Sequence, residues 1–321
     1  MNTEKIIPIF FAIDDNYAKF FQVALKSIMH KADKQYSYNI HVLITSLTKE
    51  HINQIKELEN SNFKIYFENV SEKLKGIASK LQLRDYFTLS IYYRLFIQSM
   101  FPMYDKVIYL DSDLVCVKDI SKFYNIDISD YLLAATPEEV MQSVDCFGEY
   151  SEVACGVKRE DYFNSGILLM NLKKFREEKI EEKFIRLLDI YRFKAAPDQD
   201  YLNILCKNQT LLLPAGFNKT PIKLRGFNCK DLFFVHYKIN WKPWKYSNVM
   251  YERYFWHYAK QTKVYDEIKQ MRENYSEKSK RKDKEAYFNL VNLVKDEILR
   301  FKLYPLLLKG EKRYGIRARQ N

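Results

Sequence analysis

Two acids two residues apart, Asp111 and Asp113, close a short apolar run in the segment Asp105-Lys-Val-Ile-Tyr-Leu-Asp-Ser-Asp-Leu-Val. On an extended turn such carboxylates converge on a divalent cation that prefers hard oxygen ligands. The spacing alone is common, and Asp198-Gln199-Asp200 repeats it. What distinguishes the first pair is a buried strand that delivers both acids to one place. A second group follows the apolar run Leu232-Phe-Phe-Val235: His236, then Lys242-Pro243-Trp244. A lone His beside a strand is more often structural than a ligand, but here an imidazole and an ammonium share one short turn. The imidazole can complete a manganese site begun by two carboxylates, and the ammonium can neutralise a diphosphate.

The elements that must position these groups are legible from periodicity. Residues 6–13 are a continuous apolar run of strand length, the pattern of a strand buried on both faces. After Asp14-Asp15-Asn16, the residues Phe21, Ala24, Leu25 and Ile28 share one face of an amphipathic helix. Residues 39–44 read as the next strand, Thr48 opens a helix, and residues 63–67 read as a third strand. This βαβαβ start predicts a mostly parallel sheet with right-handed crossovers. A helix over 90–100 leads into a strand at 106–110. Strands at 131–135 and 165–170 and helices at 172–191 and 198–207 follow. Ligands of open α/β sheets lie beyond the carboxyl ends of the strands. Two polar clusters fall at such ends, Asp14-Asp15-Asn16-Tyr17 and Asp111-Ser112-Asp113.

In this order of motifs the chain resembles the retaining family 8 glycosyltransferases, which include bacterial lipopolysaccharide galactosyl- and glucosyltransferases and the glycogenins. The resemblance runs from about Ile6 to Trp244. It implies an α/β fold: a single nucleotide-diphospho-sugar transferase domain of GT-A type, with a Rossmann-like mixed sheet and flanking helices, over residues 1–250. Ala12-Ile-Asp14-Asp15-Asn16-Tyr17 looks like the loop that binds the base and ribose, through Ala12, Asp14, Asn16 and Tyr17. Arg94, in Ser90-Ile-Tyr-Tyr-Arg94-Leu, looks like the arginine that reaches the donor. Asp111-Ser112-Asp113 matches the metal-binding acids. Asn164 and Ser165, in Asp161-Tyr-Phe-Asn164-Ser165-Gly166, match the segment touching the transferred sugar, and Glu138 is set against a sugar hydroxyl. Asp198 and Gln199 match the residues beside the anomeric carbon, His236 the third metal ligand, and Lys242 the phosphate-binding lysine. One position departs: the family usually has Gly three residues after that His, and here it is Ile239. A β-branched residue is poorly tolerated at positive φ, so the loop is expected to be reshaped.

The resemblance implies a UDP-glucose or UDP-galactose donor, a Mn2+ or Mg2+ cofactor, a glycan or lipid-linked saccharide acceptor, and transfer with retention. An amide such as Gln199 is a poor nucleophile, which favours front-face displacement over a double displacement through Asp198. The alternative is a catalytically inactive homologue that binds nucleotide-sugar or glycan, and Ile239 is the feature that keeps it open.

Composition sets the remaining bounds. At 321 residues with 47% hydrophobic content and only 8 Gly and 8 Pro, the chain is neither collagenous nor low in complexity. Its 5 cysteines are odd in number and form no Cys-x-x-Cys pair, which points away from a disulfide framework or zinc knuckle and toward a reducing, cytoplasmic setting. No run approaches the roughly 18 apolar residues of a membrane span, and the start lacks the layout of a secretory signal. Of the net charge of +11, residues 261–321 supply most, with 16 Lys and Arg against 9 Asp and Glu. Over 286–308, Leu290, Leu293, Val294 and Ile298 fall at helical spacing near Lys302, Lys309, Lys312 and Arg313. Residues 251–321 are therefore expected to form a basic, aromatic, helical region. It could lie on the inner face of an anionic membrane or cap the catalytic domain. Aromatic RNA-binding or helix-turn-helix patterns are lacking, so nucleic acid is not an expected partner.

Overall fold

The structure, a computed structural model, describes residues 5–75, 77, 81 and 89–314, with side chains as far as residue 302. Among these residues nine strands form two sheets: β1 (Lys5–Ala12), β2 (Tyr36–Ile44), β3 (Phe63–Asn69), β4 (Lys106–Leu110), β5 (Leu114–Cys116), β6 (Leu133–Ala135), β7 (Ile167–Asn171), β8 (Thr210–Leu212) and β9 (Phe234–His236). Seven pair in the order β3-β2-β1-β4-β7-β6-β8, and β5 pairs with β9. The pairs β1–β2, β2–β3, β1–β4 and β6–β8 are parallel, whereas β7 runs antiparallel to both β4 and β6. The mixed sheet is as expected.

The unbroken apolar run of β1 follows from its central place. Ile7, Ile9 and Phe11 enter one core cluster while Phe10 enters another on the opposite face. Both faces are covered, so alternation would be penalised. Chain order reverses between β1 and β4, and the ligand cleft of such sheets opens at that switch. The antiparallel β7 then brings its start beside the end of β4, where the Asp111 N–H donates to the Gly166 carbonyl at 2.7 Å. β9 sets Leu114 opposite His236, and the Tyr237 N–H donates to the Asp113 carbonyl at 2.8 Å. Two distant stretches, the start of β7 and the end of β9, are thereby tied to the acids.

Two predicted helices take another form. Residues 90–100 wind as a 3-10 turn, Leu89–Leu95, followed by a short α-helix, Ile97–Met100. The tighter winding eclipses positions three apart, which puts Ile91 and Arg94 on one side, where both line the cleft. The predicted helix at 172–191 is two, Leu172–Glu177 and Ile180–Ile190, broken where Lys179 takes φ of 53°.

The C-terminal helix runs from Glu277 to Tyr314, longer at both ends than expected. As far as residue 302, its apolar face turns inward rather than outward. Val294 and Ile298 are buried in the main core, and Leu290 packs against it. Asp283 accepts from Tyr246 Oη at 2.9 Å and Tyr275 Oη at 2.7 Å, and Tyr191 Oη donates to Glu297 Oε2 at 2.5 Å. The side chains of Lys309, Lys312 and Arg313 lie outside the described residues. No described helix is long and apolar enough to cross a membrane.

His236 is set in place through Lys219, whose backbone donates to the Phe234 carbonyl and accepts from the His236 N–H, both at 3.0 Å. The Lys219 side chain is fully buried, with Nζ 2.9 and 3.0 Å from the Glu139 carboxylate and within 2.9 Å of the Thr220 and Ile222 carbonyls. Removing one partner of such a pair leaves a buried, uncompensated charge. Lys219→Met should therefore cost about 3–5 kcal/mol, read by urea unfolding. Lys219→Met/Glu139→Leu should recover much of that loss. A single variant as stable as the double would show that the charge is not buried.

Candidate active site

A cleft of about 1380 Å³, open mouth included, crosses the carboxyl ends of β1 and β4. At one end it is lined by Ala12, Ile13, Asp14 and Tyr17, and in the middle by Asp111, Ser112, Asp113, His236 and Lys242. Beyond them lie Glu138, Asn164, Ser165, Asp198 and Gln199. The sequence predicted every one of these side chains but Ile13 as part of one site, and the fold brings them together.

One ligand atom each from Asp111, Asp113 and His236 falls within a group no more than 4.8 Å across. His236 Nε2 stands 3.1 Å from Asp113 Oδ1 and 3.7 Å from Asp111 Oδ2. The other ring nitrogen, Nδ1, is 3.0 Å from Asn218 Oδ1, and Asn218 Nδ2 donates to Asn164 Oδ1 at 2.8 Å. With its amide so oriented, Asn218 accepts from the ring at Nδ1, which leaves Nε2 turned toward the two carboxylates. Two carboxylates and an imidazole, oriented from behind by an amide, are a donor set that suits Mn2+ or Mg2+. Lys242 Nζ lies 2.6 Å from Asp113 Oδ2 and faces the Tyr17 ring at 5.6 Å. Burial acts to raise the Asp113 pKa, but Lys242 and His236 overcome it and hold the carboxyl well below its usual range.

Deeper in, the Arg94 guanidinium spans two acids, Nη2 at 2.9 Å from Asp111 Oδ1 and Nε at 3.3 Å from Asp198 Oδ2. It also donates to the Ser165 carbonyl. Asp198 Oδ2 accepts from Ser165 Oγ at 2.9 Å. Burial raises the Asp198 pKa, and Arg94 works against that rise. Gln199 Oε1 accepts from Asn164 Nδ2 and from the Ser165 N–H, both at 3.0 Å. Glu138 accepts from Asn164 Nδ2 at 2.7 Å and pairs with Lys238.

Some expectations change. Asn16 is exposed and does not line the cleft, because Asp14 and Tyr17 form a turn, Asp14 Oδ1 accepting from the Tyr17 N–H at 3.0 Å, that leaves Asn16 at its outer rim. The loop after His236 is not relieved of positive φ: Ile239 adopts φ of 54° and lines the cleft. Sequence reasoning missed Asn218 and Lys238, for which no motif signals. It quoted Gly166 without a role. A Cβ there would stand within 2.5 Å of Asp111 Oδ2 and closer still to His236 Cε1, so only glycine leaves room for Asp111 and His236 to meet.

The model of the family described as Glycosyl transferase family 8 matches residues 8–248, about three quarters of the chain. The chain belongs to that family. A putative glycosyltransferase of Haemophilus influenzae is 30% identical over 251 residues, 78% of this chain and 72% of the relative. A lipopolysaccharide 1,2-glucosyltransferase of Escherichia coli is 29% identical over 251 residues, 72% of this chain and 71% of the relative. Among solved structures, the apo bifunctional glycosyltransferase WbbM has a TM-score of 0.74 at 24% identity, a likeness of fold that covers 85% of this chain and 53% of that one. The galactosyltransferase LgtC, in complex with donor and acceptor sugar analogues, has a TM-score of 0.64 at 25% identity and covers 80% of this chain and 96% of that one. The α/β GT-A-type fold with a C-terminal helix is therefore as expected.

In this glycosyltransferase the second acid of Asp198-Gln199-Asp200 has a different surrounding. Asp200 is fully buried and accepts from Tyr150 Oη at 2.7 Å, Tyr162 Oη at 2.5 Å, the Ala196 N–H at 3.1 Å and Cys155 Sγ at 3.4 Å. Burial pushes its carboxyl up to about 7 despite these donors. An unfolded aspartate titrates near about 3.9, so between about pH 4 and 7 the folded state holds the extra proton. This group's contribution to stability is then greatest at low pH and falls as pH rises to about 7. Comparing unfolding midpoints, Asp200→Asn should gain on the wild type from pH 5 to pH 8. A gap independent of pH would mean that the carboxylate stays ionised.

Gly166→Ala should leave far-ultraviolet dichroism near wild type while weakening manganese affinity roughly tenfold or more, since it displaces a ligand held from behind. A paramagnetic titration with Mn2+ measures this. Wild-type affinity would show that the three ligand atoms do not form the site.

Proposed function

We propose that this transferase moves glucose or galactose from a UDP-sugar to a glycan or lipid-linked saccharide, with retention of configuration and dependence on a divalent metal. The observation that carries this reading is the meeting of Asp111, Asp113 and His236 beside Lys242, between the Asp14–Tyr17 turn and Asp198. The Escherichia coli relatives named lipopolysaccharide 1,2-glucosyltransferase support a saccharide of the lipopolysaccharide class as acceptor and glucose as donor sugar. The galactosyltransferase neighbour keeps galactose beside it.

Cleavage of the bond between sugar and diphosphate develops negative charge on the leaving oxygen. Asp111, Asp113 and His236 would hold Mn2+ or Mg2+, which when bound supplies Lewis-acid stabilisation of that charge. Lys242 adds an ammonium at the same end of the cleft. Asp14 and Tyr17, at the far end, bind the nucleoside. Asp198, steadied by Arg94 and Ser165, binds sugar hydroxyls and balances positive charge at the anomeric carbon. Its Oδ2 already accepts from Ser165 and faces Arg94, so it is poorly disposed to attack. Gln199 is weaker still, an amide whose oxygen accepts two hydrogen bonds. Front-face displacement follows, with the leaving phosphate taking the proton of the acceptor hydroxyl.

Residues 1–250 act as the catalytic unit and 251–321 as an accessory region. Because the apolar face of the C-terminal helix packs on the core, peripheral contact with the inner membrane face falls to the basic residues from Lys309 onward. Salt-sensitive binding to anionic vesicles tests that contact. A second reading, a nucleotide-sugar-binding homologue without transfer, is favoured by one observation, Ile239 at positive φ in the cleft.

UDP-glucose and UDP-galactose hydrolysis in manganese separates the two readings. Asp113→Asn should lower the rate on the order of 10²–10³-fold, because a charged ligand becomes a neutral amide. Asp198→Ala should lower kcat far more than it raises the donor KM. Tight UDP-sugar binding with no hydrolysis or transfer by the wild type would favour the inactive homologue. Near-wild-type activity of Asp113→Asn would remove the metal site.

A further inference from the structure

The cleft does not end at Asp198 and Gln199. Where the C-terminal helix joins its lining, the wall is apolar: Met141, Phe147, Ala195, Ala196, Tyr287 and Leu290. Two of these, Tyr287 and Leu290, sit on the C-terminal helix, well beyond residue 248 where the family match stops. The helix is clamped on either side of them. Before them, Asp283 is bound by Tyr246 and Tyr275. After them, Val294 and Ile298 are buried, Glu297 is bound by Tyr191, and the Phe301 ring lies 4.4 Å from that of Tyr191. Tyr287 is thus held as part of a fixed wall.

A UDP-sugar has no use for this end. Its diphosphate and hydroxyl groups need charged and hydrogen-bonding partners, and those are gathered around Asp111, His236, Lys242 and Asp198. We propose that the apolar end is the acceptor subsite, that the C-terminal helix builds it, and that it takes a saccharide by the apolar face of its ring against Tyr287. This rests on the transferase reading above. A pyranose carries hydroxyls around its rim and C–H groups on its faces, so an aromatic ring takes the face while polar groups take the rim. Both are present: Tyr287 and Phe147 supply rings, and the Glu138–Lys238 pair lines the same cleft. An acyl chain would use the apolar wall but has no polar group to meet the Glu138–Lys238 pair that lines the same cleft.

The test uses the full chain, UDP-glucose and UDP-galactose as donors, and the methyl and octyl glycosides of glucose and galactose as acceptor probes. Transfer is followed where it occurs; otherwise occupancy is read from inhibition of donor hydrolysis. Tyr287→Ala should raise the KM or inhibition constant of the methyl glycosides about tenfold, the size expected for one lost aromatic contact. The donor KM should move less than twofold. Tyr287→Phe, which keeps the ring, should restore the acceptor constant. An acceptor constant that does not move, or a donor KM that moves equally, overturns the proposal. A change confined to octyl glycosides assigns the wall to an acyl chain and also overturns it. Donor hydrolysis with no response to any saccharide removes this subsite alone, whereas absence of donor hydrolysis and binding removes the transferase reading with it.

Discussion

A buried guanidinium governs the arrangement of the site. Arg94 is 3% exposed, and a cation at that depth costs several kcal/mol unless paired and fully hydrogen-bonded. Its partners come from four separate stretches of chain: the Ile91 carbonyl at 3.0 Å in its own turn, Asp111 after β4, the Ser165 carbonyl before β7, and Asp198 in the helix Pro197–Leu205. Its planar face covers the Tyr109 ring at 4.2 Å. Burial works to lower the Arg94 pKa, and Asp111, Tyr109 and Asp198 more than reverse it, so the charge persists. Two acids that would repel each other within the cleft, Asp111 and Asp198, are thereby held at fixed places. The 3-10 winding of Leu89–Leu95 is part of the same solution, because it sets Ile91 and Arg94 on one side of the chain.

Asn164 does for the neutral network what Arg94 does for the charged one. Its amide nitrogen donates to Glu138 and Gln199, and its oxygen accepts from Asn218 and from the Gly166 N–H at 2.9 Å. Every one of its four hydrogen-bonding positions is used. One end of the network fixes the His236 ring through Asn218, and the other fixes the Gln199 amide. A saturated buried network of this kind leaves few alternative arrangements. The group around His236 and the group around Gln199 accordingly share a single geometry.

Much of this is legible in the sequence. The apolar run of β1, the acids after β4 and the His-to-Trp turn after β9 each announce themselves by composition and position, because a buried strand and a charged turn leave opposite marks. Other features leave none. The break at Lys179 has no glycine, asparagine or proline to signal it, and the left-handed residue is a lysine. Asn218 orients His236 from a segment with no motif, since a single amide carries no periodicity. The C-terminal helix shows a further limit. Its spacing correctly marks an apolar face through Val294 and Ile298, but periodicity says only that a face is apolar. Whether a bilayer or the protein's own core covers it depends on where Tyr191, Phe193 and Tyr246 come to lie.

Ile239 shows how far packing can override a local preference. A non-glycine residue held in the left-handed region costs of order 1–3 kcal/mol, and a β-branched side chain is among the worst suited. Three constraints hold it there. Lys238, just before it, is drawn to Glu138 and accepts on its carbonyl from the Trp241 N–H at 3.2 Å. Lys242, just after the turn, is drawn to Asp113. Ile239 and Trp241 both pack on the main core. With a buried ion pair at each end, the loop has no room to relax toward negative φ without uncovering a charge, which costs more than the strain itself. The isoleucine therefore keeps the backbone course that a glycine would adopt freely, and adds an apolar side chain to the lining of the cleft.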